Sequence, residues 1–455
     1  MCDRVEGSSR RAFASAAALA VPATVLGGAG RKAPGDSLRI AAVGVGGMGR
    51  RYIQGCASER IVALCDVDHD LAAKVFNKYA QAAVFRDWRR MMDREKEFDA
   101  VIVATPDHHH AAVTLAALKL GKAVYCAKPL THTLHELRLV REAARKAGTA
   151  TQTSVQSAAG DAACTTAEYL MSGVIGHITE IHVWCDHPLY PAGQVRPSQT
   201  PQTPSSMDWD LWLGPAPYRP YSRAYHPWIW RSWWDFGTGT VGDMLSHALH
   251  VFYRPLRLGA PVAVHGCRSK MHGGLFEMDG QGNETLPPLI PTPESESHAS
   301  ALAFDFPARG EMPPLRMHWY DGGLKPFRPA ELPKGTPLPA SGVLYCGEKG
   351  KMLTAYSGGR NLLLPEKRFR DFAPPPKTLE RTTGHYEEWV RAAKGQGRTN
   401  CGFELGAQLA EVALLGTLAA RSARYLEWDS VRGVVVNDEE ANSWVNPPRR
   451  NGWEL

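Results

Sequence analysis

Little in this chain could cross-link it or hold it to nucleic acid. Its nine cysteines form no CxxC pair and no zinc-like spacing, which excludes a disulfide scaffold and a zinc knuckle. Cys2 lies in an N-terminal leader. Cys56, Cys65, Cys126, Cys164, Cys185, Cys267, Cys346 and Cys401 stand mostly among apolar neighbours and read as small buried hydrophobes. After residue 37 there is no run of Lys and Arg interleaved with aromatics, and a formal charge of +6 is small for 455 residues. Nucleic acid is therefore left without an electrostatic case as a partner. No stretch reads as a stable transmembrane segment, because the apolar run near the N-terminus is short and rich in Ala. Hydrophobic residues make up 44% of the chain, enough for two substantial cores.

The first 36 residues read as a leader. Ser9-Arg10-Arg11-Ala12-Phe13 precedes a mildly apolar Ala/Val/Leu stretch ending at Leu26. An arginine pair before such a segment has the form of a twin-arginine export signal, which implies a periplasmic or other extracytoplasmic location.

Residues 37–157 alternate between apolar strands and amphipathic helices. Leu38 to Val43 reads as a buried strand, followed by Gly44-Val45-Gly46-Gly47-Met48-Gly49 and then a helical pattern. GxGxxG in that context is a phosphate-binding turn. Gly44 permits the tight turn, Gly46 the approach of a pyrophosphate and Gly49 the close packing of helix on strand. A second strand, Ile61 to Cys65, ends at Asp66, where a carboxylate bonds ribose hydroxyls and repels a 2′-phosphate, so NAD is favoured over NADP. Asp68 is the nearby competitor for this role. Further strands are expected at 100–104, 123–126 and 150–155, with a helix from Asp87 to Asp93 and another over 136–147. Asp107 is expected to cap a helix, with one of His108, His109 and His110 bracing the loop. Lys128-Pro129 stands at the carboxyl end of a strand, the edge where open parallel sheets place ligands.

Residues 158–455 read as an α+β domain dominated by sheet. A Trp/Pro-rich loop at 184–240 mixes aromatic planes with Arg and His, a composition suited to a sugar or polyol. Arg231 and Trp234 are its candidate substrate contacts. Asp243 and His247 stand one helical turn apart and form a candidate acid/base pair, with His250 the weaker candidate. Strands are expected at 301–306 and 316–320, a hairpin at 344–353 and closing helices at 386–393 and 403–423. A sheet of this kind needs one face covered, and a second copy of the chain would cover it.

Val43 to Gly49, Thr105 to His110, Tyr125 to Pro129, and Gly242-Asp243 with His247 together resemble the Gfo/Idh/MocA oxidoreductase family, most closely its exported, Trp-rich branch. The resemblance implies a Rossmann-type nucleotide-binding domain followed by an α+β domain with a large open-faced, mostly antiparallel sheet that forms homodimers or homotetramers. It implies NAD held by Gly44, Gly46, Gly47, Met48, Gly49, Asp66, Thr105, Pro106, His110 and Lys128. It also implies Lys128, Asp243 and His247 as catalytic residues, with Lys128 holding a substrate hydroxyl, His247 taking its proton, and Asp243 orienting that histidine or binding a neighbouring hydroxyl. One departure is Ala127, where the family usually has Glu before the Lys-Pro pair.

Function is read accordingly as NAD-dependent oxidation of a secondary hydroxyl on a sugar, sugar acid or glycoside, with tightly bound cofactor. Two alternatives stand beside it, a redox-neutral NAD-dependent glycosidase or lyase and a non-catalytic sugar- and NAD-binding protein. No metal is called for.

Overall fold

The computed structural model describes residues 36–455 apart from 189, 273–276, 279, 283, 286–288 and 291–293. The leader therefore lies outside the described residues. Five short, largely apolar segments and one polar one form the first sheet: β1 (Arg39–Val43), β2 (Arg60–Cys65), β3 (Ala83–Phe85), β4 (Ala100–Val103), β5 (Ala123–Cys126) and the polar β6 (Thr151–Thr153). All pairs are parallel and the order is β3-β2-β1-β4-β5-β6. β4 and β5 are buried at every position, because helices cover both faces of a parallel sheet. The helix expected from Glu136 starts earlier, at Leu134, because Thr133 and Glu136 form a capping box; it ends at Gly148 in a left-handed conformation.

The second sheet contains β7 (Ile178–Trp184), β8 (Ala263–Arg268), β11 (Ser300–Phe306), β12 (Leu315–Tyr320), β13 (Gly342–Gly347), β14 (Gly350–Thr354), β15 (Leu362–Leu364), β16 (Tyr425–Asp429) and β17 (Val434–Val435); between them β9 (Glu277–Met278) and β10 (Glu284–Thr285) pair with each other. The order is β15-β14-β13-β7-β12-β11-β8-β16-β17. Only β7 and β12 run parallel within it. Burial alternates residue by residue along β11 and β12. One face is thus in the core, while Glu180, His182, His318 and Tyr320 stand on the other, half covered.

The helix Phe403–Ser422 joins the two sheets. Its Gly406 lies so close to Thr153 at the end of β6 that a Cβ there would sit 2.2 Å from Oγ1. Its Leu409, Ala413 and Leu415 belong to one continuous core with Val101 and Val124 of the first sheet and Phe304 and Trp319 of the second. Leu38–Leu455 is accordingly one compact unit. Among the described residues this helix alone is long and apolar enough to cross a membrane, with mean hydropathy 1.3, but 78% of that window is buried inside the protein.

Two cysteines depart from expectation: Cys267 is exposed and Cys346 half-buried, because both stand on strands with a solvated side. The Trp-rich loop forms a core of its own, in which Trp209, Trp212, Tyr225, Trp233 and Phe236 pack on one another. Trp209 and Trp212 stack at 4.5 Å and 11°.

A candidate active site at the carboxyl edge of the first sheet

A cavity of about 340 Å³ opens where β1, β2, β4 and β5 end. At its floor the chain leaves β1 through Gly44, whose φ is +80°, and the Gly44 N–H donates to Cys65 O at 2.9 Å. A Cβ on Gly49 would stand 2.1 Å from Gly44 O, so only glycine lets the following helix seat against the turn. No side chain caps the helix Gly49–Gly55, its first turn carries no carboxylate, and Gly47 faces open space. This cradle fits a dinucleotide phosphate.

Asp66 ends β2 inside the cavity. Its Oδ2 accepts from Gly46 N–H at 2.8 Å and its Oδ1 from Asp68 N–H at 3.0 Å. Burial pushes this carboxyl up, and those two backbone donors oppose the shift. Asp68, the competing carboxylate, has other work. It caps the helix His69–Lys78 and pairs with His226 Nε2 at 2.9 Å, which holds it below the usual carboxylate range.

At the far end Lys128 Nζ donates to Asp243 O at 2.6 Å and is paired with the Asp243 carboxylate. Burial alone would raise the Asp243 carboxyl; Lys128 and Arg231 outweigh it and hold it low. His247 lines the same cavity on the turn after Asp243. Burial, and then the Lys128 charge, push its imidazole down to about 3, so it is neutral at pH 7. The expected bond from Asp243 to His247 is a correction: the carboxylate faces Lys128 instead, because an ammonium is the stronger partner for a buried anion.

Asp107 also differs from expectation. Pro106 holds the cap position, and the Asp107 side chain accepts from Thr238 Oγ1 at 2.8 Å. Burial and the nearby Asp243 push its carboxyl up to about 7. All three neighbouring histidines brace the site rather than one. The His110 ring lies between Pro129 O, 2.8 Å from Nδ1, and Thr105 O, 2.9 Å from Nε2, and as a neutral imidazole it donates to one of these two turns at a time. His108 Nε2 and His109 Nε2 each stand 2.9 Å from Trp212 O. His250, the weaker candidate, is buried against Ser157 Oγ at 2.9 Å.

The cavity therefore collects Gly44, Gly47, Met48, Asp66, Thr105, Pro106, His110, Ala127, Lys128, Arg231, Asp243 and His247. Gly46 and Gly49 shape it from behind. Trp234 is not part of it: its ring packs beside Gly239 at a separate small polar void that Glu296 also lines. Tyr52, Gln156, His187, Tyr190, Trp228 and Trp453 line the cavity without having been expected there. Tyr52 on the helix Gly49–Gly55 and Gln156 in a loop carry no motif; only the Trp-rich composition around Trp228 was a signal. A larger open groove of about 870 Å³, lined by Ala158, His250, Arg254, Arg309 and others, contains none of the turn or the Lys128 cluster.

The aromatic loop and the C-terminal tail roof this cavity. Asp208 N–H donates to Val67 O at 2.9 Å and His69 N–H to Ser206 O at 3.1 Å. Arg450 Nε donates to Gly214 O at 2.9 Å, and the Trp453 ring lies 4.4 Å from the Arg89 guanidinium.

Residues 38–155 match the family model described as oxidoreductase family, NAD-binding Rossmann fold, and residues 178–256 match its companion, the C-terminal alpha/beta domain. An inositol 2-dehydrogenase/D-chiro-inositol 3-dehydrogenase from Shouchella clausii is 38% identical over 102 residues, 21% of this chain and 29% of that protein. An inositol 2-dehydrogenase from Klebsiella pneumoniae is 34% identical over 117 residues, 25% of this chain and 34% of that one. The matched segment thus spans about a third of these curated relatives. In fold, the chain is similar to the WlbA dehydrogenase from Bordetella pertussis in complex with NADH and UDP-GlcNAcA, with TM-score 0.57 and 15% identity over 86% of this chain and 99% of that one. It is also similar to a levoglucosan dehydrogenase in complex with NADH and levoglucosan, with TM-score 0.53 and 17% identity over 86% and 99%. The Rossmann match, with Asp66 at the end of β2, supports NAD as the cofactor. The two adjoining family models and the inositol dehydrogenase relatives support membership of this chain in the Gfo/Idh/MocA oxidoreductase family.

Proposed function

We propose that the chain is an NAD-dependent oxidoreductase acting on a secondary hydroxyl of a sugar, sugar acid or glycoside, and that it keeps its cofactor between turnovers. The observation that carries this reading is one cavity holding the glycine turn and Asp66 at one end and Lys128, Asp243 and His247 at the other. The dehydrogenase relatives of inositol and levoglucosan support a polyol or sugar as substrate. The nicotinamide, when bound, supplies the acceptor for a hydride from the alcohol carbon. Lys128, oriented by Asp243, donates a hydrogen bond to the substrate oxygen and stabilises charge developing there. His247, uncharged at pH 7, takes the hydroxyl proton on an imidazole nitrogen as the carbonyl forms.

This reading divides the chain into a leader (1–36), a cofactor domain (37–157) and a substrate and assembly domain (158–455), with dimers or tetramers formed through the half-covered sheet face. The arginine pair Arg10-Arg11 supports export of the folded protein to the periplasm. The roof favours a second reading, redox-neutral turnover on a glycoside, since a cofactor enclosed by loop and tail is suited to being reduced and reoxidised in place. The test is to isolate the mature protein with its native cofactor and incubate it with polyols, sugar acids and glycosides. Ketone formed with stoichiometric NADH supports the oxidoreductase. Cleaved glycoside without net NADH supports the redox-neutral reading. Retained NAD with no product sinks both.

A further inference from the structure

The Lys128 end of the cavity contains one cation that, among the described residues, makes no ion pair. Lys128 is paired with Asp243. His247 and His110 are uncharged at pH 7, being pushed down to about 3 and about 4 by burial, and Asp107 is at about 7. Arg231 remains. Among the described residues no carboxylate stands within ion-pair distance of its guanidinium, which donates from Nη1 to Trp228 O at 3.3 Å. The guanidinium lies 4.4 Å from the Trp228 ring centroid and 4.2 Å from that of Trp230. Two indole contacts fix the plane of the fork without neutralising it.

The position of that charge is specific. It acts on Asp107, Asp243, His110 and Tyr190, all near Lys128. Arg231 is therefore placed to meet a substrate rather than the phosphates at the floor.

We propose that the cavity takes a carboxylate-bearing sugar, a uronate or its glycoside, with the carboxylate held by the Arg231 fork while a ring hydroxyl meets Lys128. This rests on the reading of the Lys128 end as a sugar site. A planar two-oxygen anion matches the guanidinium edge, and a carboxylate set among aromatic faces gains from a charge fixed in advance. The neutral and acidic forms of one sugar differ only in that group, which makes the contact a determinant of specificity.

The test is calorimetric titration of the NAD-loaded mature protein with methyl β-D-glucuronide and methyl β-D-glucoside. The glucuronide is expected to bind about tenfold or more tightly than the glucoside, with the preference falling as salt is added. Arg231→Gln should bring the ratio to about one with NAD retained, and Arg231→Lys should leave an intermediate ratio, because an ammonium keeps the charge and loses the fork. Equal affinity in the unaltered protein, no glucuronide binding, or a preference surviving in Arg231→Gln overturns the proposal. So does loss of NAD from Arg231→Gln, which would assign the guanidinium to a cofactor phosphate. Oxidation of the neutral glucoside at an equal rate removes the acid preference and leaves the oxidoreductase reading standing. Arg231-dependent glucuronide binding with no hydride transfer from any sugar does the reverse.

Discussion

The floor and the roof of the cavity are built by opposite means. The floor is backbone: a left-handed glycine, a helix seated on a carbonyl, and two main-chain N–H groups given to Asp66. Its parts fall within 30 residues of one another. The roof is side chains and loops drawn from far along the chain, as where His226 reaches Asp68 across 158 residues and His108 meets the Trp212 carbonyl across 104. A site specified by local spacing tolerates change around it. A site specified by distant partners depends on the whole fold being in place.

The sharpest way to break the comparison is at the Lys128 end, where both halves meet. His247→Ala is expected to lower turnover by about 10²–10⁴-fold, with NAD affinity nearly unchanged. Steady-state kinetics beside NAD titration decide it, and a variant that turns over normally removes His247 from the reaction. A smaller effect separates floor from roof. Asp66→Ala should relax the preference for NAD over NADP by about tenfold, since one charge-assisted contact is lost and one repulsion relieved. Equal affinity of the unaltered protein for both cofactors would dismiss the ribose assignment. Trp453→Ala should instead speed NAD release by a few-fold and leave the NAD/NADP ratio alone, read by displacement of bound cofactor. A changed ratio would show that the roof also selects.

The smallest effect is on stability in acid. His109 and His110 are pushed down to about 4 by burial, and burial likewise holds His108 well below the usual imidazole range. An unfolded histidine titrates near 6.5, so between about 6.5 and 4 the unfolded chain binds more protons than the folded one. The stability these residues contribute is complete above 6.5 and is lost as pH falls toward 4. Asp107 and Glu296, raised to about 7 and about 8, act in the opposite sense and stabilise less as pH rises. The buried histidines outnumber them, with His132, His250 and His385 also lowered to about 4. Tm is expected to fall by a few degrees from pH 7 to pH 5, and a Tm that rises over that interval would contradict the sign.

Much of the floor, and Lys128 at the far end, was legible in sequence. The turn, Asp66 and Lys128 follow from motif and period, because a parallel strand buried on both faces leaves a continuous apolar run and a glycine with positive φ leaves a fixed residue type. That Asp243 and His247 line one cavity followed from their spacing and the family resemblance, while the bond expected between them did not form. What failed was side-chain direction. Asp107 looked like a cap because Asp commonly caps, yet Thr238, distant in sequence, took its carboxylate. Trp234 looked like a sugar contact by composition, yet its ring turns to Gly239, away from the cavity. Trp453 stands at the end of the chain, where no local pattern could tie it to Arg89 and the cofactor cavity.

The helix Phe403–Ser422 sets a condition on how such a chain can travel. Drawn out as a thread, it presents an 18-residue window of mean hydropathy 1.3, by length and composition enough to cross a membrane. Folded, the same segment is wedged between two sheets with 78% of its window hidden. A route that threads the polypeptide would meet this apolar segment, whereas a route that moves the finished fold would not. The element that fuses the two halves is thus hidden only in the finished fold, and an exported form moved after folding would never present it.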